Sequence, residues 1–381
     1  MKRVKEVTRR VVPPDVPFVF HTHTGSPTGY SQTAIGLMRA LWEVGVETRY
    51  LYVSDDVLYE RESPETMVNA LRMNKPDLSL PQVVYSTAPM FWHNSGAYRV
   101  GWSMIETDRI NEAWVEACNA MHEVWVPTPW QVRVFRESGV KVPVFVAPLG
   151  YNPHEFRPDC WAGKWHGKEC FRFLAVGWWQ LRKRWDLLID AFLDEFGDNS
   201  KVCLVCKIHA EETDESIRDN FETCVRDRRA DNIVMINATY PWWELAALYR
   251  MCDAFVLPSG GEGWGMTFLE ALACGLPTIA PDGLGTGEVL RSNRGVPYPG
   301  VILLPTKLEK SPVTHAYYKD ANWWACSKQD VRAAMREVVK KFPQWKAVAL
   351  AGAKQVAVER SFEQGVLVVR SHLERIYRGG F

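Results

Sequence analysis

An α/β protein of two doubly wound parallel sheets, each covered by helices and facing the other across a cleft, is the fold this sequence predicts. Three observations predict it. Short apolar runs of strand length alternate with amphipathic helical stretches along most of the chain, the pattern of repeated βαβ units. The pattern starts twice, near Phe18 and again near Phe171, on either side of a Pro-, Gly- and Trp-rich stretch at 152–168 that carries neither period. At 381 residues, the chain also exceeds what one hydrophobic core usually serves.

The first unit opens with a strand at Phe18–His21, a turn, and an amphipathic helix from Ser31 to Trp42, the β-loop-α start of a Rossmann-like domain. Strands follow at Thr48–Val53, Val83–Tyr85, Arg99–Ile105, Glu123–Val126 and Val144–Val146, with helices at Glu112–Ala120 and Trp130–Glu137. The second unit reads strand Phe171–Val176, helix Trp185–Phe196, strands Val202–Ile208 and Ile233–Ile236, helix Trp242–Tyr249, strand Ala254–Leu257, helix Met266–Ala273 and strand Pro277–Ala280. Three consecutive helices close the chain, at Ser327–Lys341, Gln344–Glu359 and Ser361–Arg378. The expected division is 1–160, 161–355 and a terminal segment, 356–381.

Composition narrows the functional classes. The 45 basic and 45 acidic residues cancel, so global charge advertises neither nucleic acid nor membrane. Basic clusters at Lys2–Arg10, Arg182–Arg184 and Arg226–Arg229 are local, and only the second receives a functional reading. The nine cysteines are scattered rather than spaced as a framework, which favours free buried thiols and a reducing compartment. Cys203 and Cys206 sit three apart on an expected strand and point to opposite faces, so they cannot chelate one metal ion together. No apolar run reaches membrane-spanning length and the basic N-terminus lacks an apolar signal core, so a cytoplasmic protein is expected.

The most informative segment is PSGGEGWGMTFLEALACGLPTIAPDGLGTGEVL, residues 258–290. Ser259, Gly260, Gly261, Gly263 and Gly265 form a turn between a strand and the helix starting at Met266. The free amides and partial positive charge of a helix N-terminus suit a diphosphate, and glycines let a ligand approach the backbone. The backbone around Gly263, Trp264, Gly265, Met266 and Thr267 is therefore the expected donor cradle. Glu270, read as a first-turn carboxylate, can accept from a ribose diol, while Glu262 in the turn can reach a sugar beyond the phosphates.

Two glutamates separated by seven residues across such a turn, followed by EALACG and a strand, resemble the E-x7-E signature of retaining GT-B glycosyltransferases, the GT4-like group (glycosyltransferase group 1) in particular. The resemblance implies the GT-B fold, a nucleoside-diphosphate-sugar donor, retention of anomeric configuration without an established protein nucleophile, and a final helix that crosses back onto the N-terminal domain; no His-Cys-carboxylate spacing suggests a metal site, so no metal or other cofactor is expected. That family carries a G-R-x(4)-K-G-like turn after the first strand of its C-terminal domain, where two cations grip the diphosphate. Here Lys183 falls in the lysine's place, but Trp178 stands where the arginine belongs and Arg184 replaces the glycine. Arg182 or Arg184 can supply the missing cation, since the departing nucleotide needs fixed positive charge.

In the first half, Arg99–Asp108, Trp114–Asn119 and Glu123–Thr128 are similar to a subgroup of the same family. Glu106, at the carboxyl end of a strand, is a candidate for the reaction centre or acceptor site, with Asp108 behind it. The turn Gly25–Ser31 resembles the glycine-containing loop that closes over donor phosphates, with Gly29 as its point of close approach. Together these readings point to a glycosyltransferase moving a hexose, with UDP-glucose the generic donor, onto a hydroxyl of a glycan, protein, small metabolite or hydroxymethylated DNA base. Arg99, Arg109, Arg133 and Arg136 are compatible with the DNA alternative. The competing readings are a GT-B nucleotide-sugar epimerase and a catalytically inactive sugar-binding scaffold, the latter supported by Trp178 alone.

Overall fold

A computed structural model describes residues 16–24, 28–52, 76–167, 169–197, 199–209, 231–313 and 317–381. Val53, Lys168, the basic clusters Lys2–Arg10 and Arg226–Arg229, and the Gly25–Pro27 part of the first loop lie outside the described residues.

Strands β1 (Phe18–Thr22), β2 (Thr48–Tyr52), β3 (Pro81–Tyr85), β4 (Tyr98–Trp102), β5 (Glu123–Val126) and β6 (Val144–Val146) form one parallel sheet in the order β2-β1-β3-β4-β5-β6. Helices α1 (Gly29–Glu43), α2 (Glu112–Asn119) and α3 (Pro129–Glu137) belong to this unit. All five residues of β1 and of β3 are buried, as expected of parallel strands covered on both faces. Each helix starts at a capping residue: Thr28 Oγ1 accepts from Ser31 N, Asn111 Oδ1 from Trp114 N, and Thr128 Oγ1 from Gln131 N.

The second parallel sheet is built from β7 (Phe171–Trp178), β8 (Val202–His209), β9 (Ile233–Asn237), β10 (Ala254–Val256), β11 (Thr278–Pro281) and β12 (Val301–Leu304), ordered β12-β11-β10-β7-β8-β9. Its helices are α4 (Trp185–Phe196), α5 (Trp242–Met251), α6 (Met266–Ala273) and the short α7 (Leu284–Val289). The strand order reverses between β1 and β3 in the first sheet and between β7 and β10 in the second. Open α/β sheets bind ligands at the carboxyl ends of the strands flanking such a reversal. The loops after β1, β7 and β10, which hold Gly29, Lys183 and Glu262, lie at these two places.

Beyond the second sheet, β13 (Thr306–Lys310) and β14 (Asn322–Cys326) pair as an antiparallel hairpin, followed by α8 (Lys328–Lys340), α9 (Phe342–Glu359) and α10 (Phe362–Gly379). The hairpin, β12 and α7 are absent from the sequence reading. The outer strand of the hairpin, TKLEK, is largely exposed and so lacks the apolar signal of a strand, while α7 is only six residues long. Helix α10 crosses back onto the first domain. Phe362 packs so closely on Gly36 of α1 that a Cβ there would overlap its ring. Arg375 Nη2 pairs with Glu123 Oε1 at 2.7 Å, and Tyr377 OH donates to Pro17 O.

Among the described residues Cys118, Cys206, Cys252, Cys274 and Cys326 are free and buried, as expected, but one pair departs from that expectation. Cys170 and Cys203 form a disulfide, with Cα atoms 6.1 Å apart. Parallel pairing of β7 with β8 sets Phe171 opposite Val202 and Arg172 opposite Cys203, bringing together two cysteines 33 residues apart in sequence. Among the described residues, no helix is long and apolar enough to cross a membrane.

Candidate active site

The loops after β7 and β10 meet first through their backbones. A short helical turn at Leu181–Lys183 presents two consecutive cations, and Gly260 N donates to Arg182 O at 2.7 Å. Ser259 Oγ contacts the carbonyls of Arg182 and Gly261, which ties the two loops together. Gly265 then caps α6 with φ +75°, a left-handed conformation that glycine adopts without strain.

This scaffold brings together four alternating charges, with Lys183 and Glu262 buried and Arg182 and Glu106 partly buried. Lys183 Nζ donates to Glu262 Oε1 at 2.6 Å, and Arg182 Nη1 lies 3.6 Å from Glu262 Oε2. Arg182 Nη2 reaches across to Glu106 Oε1 at 3.1 Å, and Tyr318 OH, from the hairpin loop, donates to Glu106 Oε2 at 2.6 Å. Burial opposes ionisation of Glu262, but Lys183 and Arg182 outweigh it and hold the carboxyl below its ordinary range. Burial also opposes the charge on Arg182, and Glu106 and Glu262 together more than restore it. Lys183 is drawn below the usual lysine range by burial, with Glu262 opposing that shift and neighbouring Arg182 adding to it.

The first domain closes against this cluster at several points. A Cβ on Gly261 would collide with the carbonyl oxygen of Glu106, and one on Gly263 would stand 2.6 Å from Met104 Cγ, so both glycines are needed for the approach. Gln131 Nε2 donates to Gly263 O, and Trp130 N donates to Glu288 Oε2 at 2.9 Å. Asp108 accepts from Asn322 N and from Asn322 Nδ2, both at 2.7 Å, and thereby anchors the hairpin.

Two adjoining cavities lie along the seam. The larger, about 390 Å³, is lined by Glu106, Arg182, Lys183, Glu262 and aromatic residues that include Tyr30, Trp114, Trp264 and Tyr318. The smaller, about 140 Å³, is lined by Lys207, Glu270, Trp178, His209, Tyr240 and Trp242 among others. Gly29, Gly177, Met266 and Thr267 border both, placing the start of α6 between the two. The dimensions and lining suit an elongated ligand with an anionic middle, an aromatic-flanked end and a polar end.

Most of the expected residues converge here. Glu262, Lys183, Glu106, Arg182, Gly263, Trp264, Gly265, Met266, Thr267 and Gly29 all line the larger cavity, and Glu270 lines the smaller. Trp264 is also fixed by its indole, whose Nε1 donates to Gly150 O at 3.2 Å. Several expectations need correction. Glu270 is the fifth residue of α6 and so lies in its second turn, where its Oε2 accepts from Tyr249 OH at 3.0 Å. Burial raises its pKa to about 8, against the opposing hydrogen bond from Tyr249 and the charge of Lys207. Ser259 lines neither cavity and acts as a turn residue. Arg184 lines neither cavity; it takes a left-handed backbone with φ 55°, pairs with Asp186 at 3.3 Å and lies over the Trp323 ring. Asp108 is engaged by the hairpin, and Arg99, Arg109, Arg133 and Arg136 border neither cavity.

Sequence reasoning missed Lys207, Tyr249, Gln131 and Tyr318. Lys207 did leave a signal, as a lone charge inside the otherwise apolar run Val202–Ile208. Tyr318 left none, because the hairpin that carries it was itself unrecognised.

Comparison with known proteins agrees with this geometry. Residues 166–308 match the family model described as glycosyl transferases group 1. A mannosylfructose-phosphate synthase from Agrobacterium fabrum is 31% identical over 162 residues, covering 40% of this chain and 36% of that protein. A D-inositol 3-phosphate glycosyltransferase from Pseudarthrobacter chlorophenolicus is 39% identical over 61 residues, covering 16% of this chain and 14% of that protein. The chain thus matches little more than a third of the length of the first relative and less of the second. Among solved structures, sucrose-phosphate synthase from Thermosynechococcus elongatus superposes with a TM-score of 0.70 at 14% identity, covering 96% of this chain and 100% of that one. HepE from Anabaena in complex with UDP-glucose superposes with a TM-score of 0.65 at 9% identity, covering 95% and 99% respectively. With Lys183, Glu262 and Glu270 inside the matched segment, residues 166–308 are a glycosyl transferases group 1 domain, and the chain as a whole has the two-domain GT-B fold.

Proposed function

We propose that the protein transfers a hexose from a nucleoside-diphosphate sugar, UDP-glucose being the generic donor, to an acceptor hydroxyl with retention of anomeric configuration. The observation that carries this reading is the buried Lys183–Glu262 pair beside the glycine-capped start of α6, between a cavity that suits a nucleoside and one that suits a sugar. In this reading the diphosphate lies at the α6 N-terminus. Lys183 has three N–H donors, of which Glu262 takes one, leaving two for phosphate oxygens. Arg182 is occupied by Glu106, Glu262 and Gly261 O, so it fixes the two carboxylates and adds field, while Lys183 makes the direct contact.

The acceptor oxygen forms its new bond to the anomeric carbon as the bond from that carbon to the β-phosphate oxygen breaks. The acceptor proton passes to the departing diphosphate on the same face. Positioning and fixed positive charge carry the catalysis. Glu106, at the first-domain wall of the larger cavity, orients the acceptor, and Glu262 orients the donor sugar. Resemblance to the E-x7-E enzymes supports retention. The reading is tested by incubating the protein with UDP-, GDP- and ADP-sugars and measuring nucleotide release, with and without glycan, protein and modified-DNA acceptors. Acceptor-dependent release from one donor is expected. No release from any donor would support the inactive scaffold instead.

A further inference from the structure

The smaller cavity contains a charge that the proposed chemistry does not use. Lys207 lies on β8, opposite Val176 of β7, and only 9% of it is exposed, yet it borders the cavity. A buried lysine ordinarily has a hydrogen-bond acceptor, because removing an ammonium from water without one is costly. Among the described residues, no acceptor bonds Lys207 Nζ; its surroundings are the Tyr240 ring, with centroid 5.9 Å away, and the carboxyl group of Glu270. Glu270 stands on the facing helix with Oε2 taken by Tyr249 OH. Two strands and a helix thus hold a fixed donor and a fixed acceptor on one small cavity, flanked by the rings of Trp178, Tyr240 and Trp242.

A vicinal diol complements such a couple, since each hydroxyl both donates and accepts. Lys183 lies in the larger cavity, beyond the α6 N-terminus, so Lys207 is set on the nucleoside side of the anion position. We propose that Lys207 and Glu270 together read the ribose diol of the donor nucleotide, Lys207 donating and Glu270 accepting, so that Lys207 selects ribonucleotides over deoxyribonucleotides. This deepens the proposed function and rests on it.

The test is calorimetric titration of the full chain with UDP, GDP and ADP, then with the 2′-deoxy form of whichever binds best, in the wild type and in Lys207→Met and Lys207→Gln variants. The wild type is expected to prefer the ribonucleotide by about tenfold or more, as the loss of a hydrogen bond to a charged group implies. Both variants should bind the ribonucleotide more weakly and bring that preference towards one. Unchanged affinity and preference in folded variants would overturn the assignment. Equal weakening for both nucleotides, with the preference intact, would also overturn it, by moving Lys207 to the phosphate or base. If neither variant folds, Lys207→Arg, which keeps the charge and moves the donor, decides: a changed ribonucleotide preference supports the assignment, and an unchanged preference, or equal affinities in the wild type, refutes it. Failure of the wild type to bind any of the three diphosphates would instead remove the donor reading on which the inference rests.

Discussion

Lys183 and Glu262 sit on separate loops 79 residues apart, and their side chains meet at 2.6 Å with both nearly excluded from solvent. Neither charge is tolerable alone at that depth, so each is a structural requirement of the other before any substrate arrives.

Lys183→Met should therefore lower both turnover and stability. Turnover should fall about a hundredfold or more through loss of charge at the departing diphosphate. Stability should fall by about 3 kcal/mol, because Glu262 loses its 2.6 Å partner and keeps the longer contact to Arg182 and the Ser259 hydroxyl. The double variant Lys183→Met/Glu262→Gln should recover much of the stability and none of the turnover. Urea unfolding beside a nucleotide-release assay separates the two effects, and a single variant as stable as the wild type would contradict the coupling.

Arg182 and Arg184 should behave differently despite their proximity in sequence. Arg182→Ala removes the bridge between Glu106 and Glu262 and should reduce turnover severely. Arg184→Ala loses only a partly exposed pair with Asp186 and a ring contact with Trp323, for about 1 kcal/mol or less of stability and little turnover. Parallel steady-state kinetics check both, and equal losses would place Arg184 in the site.

Glu270 should make stability depend on pH. Its folded pKa of about 8 lies above the ordinary 4.5, so the folded state holds a proton that the unfolded state releases over that interval. Stability from this group is therefore greatest below pH 4.5 and is lost as pH rises to about 8, with a slope of at most about 1.4 kcal/mol per pH unit. Glu270→Gln should flatten the ligand-free profile between pH 5 and pH 8. Denaturant unfolding at several pH values measures the slopes, and identical slopes would dismiss the buried-carboxyl account.

Asp108→Ala should loosen the two domains. It removes both 2.7 Å contacts with Asn322 and leaves the 3.1 Å backbone bond from Asp108 N to Asn322 O to hold the hairpin at that end. A larger radius of gyration by small-angle scattering is expected, with donor binding retained because Lys183, Lys207, Glu262 and Glu270 all belong to the other domain. An unchanged radius would show that Glu106–Arg182 and Gln131–Gly263 suffice to hold the cleft.

The parts legible in the sequence are those dictated by local rules. Strand and helix periods, the glycine turn and the spacing of Glu262 from Glu270 survive without knowledge of what packs on what. The sequence places the start of this helix at Met266, as observed, and Glu270 falls outside the first turn because, as the fifth helical residue, it lies beyond the 3.6 residues that one turn takes. The choice between Arg182 and Arg184 turned on a left-handed residue at Arg184, which no propensity announces. The Cys170–Cys203 bond, Tyr318 against Glu106 and Asp108 against Asn322 are all set by tertiary pairing between distant segments.

The return of α10 to the first domain also sets an order of events during synthesis. Val366, Val369, Leu373 and Ile376 are buried on that helix, and the bond from Tyr377 to Pro17 spans 360 positions. At about 5–20 residues per second, a ribosome makes α1 on the order of 20 to 60 seconds before α10. Throughout that interval the first domain has strands ready to pair but an apolar flank with no cover. Newly made chains are therefore candidates for chaperone capture at that flank, and slower translation of the second domain should lengthen the exposure.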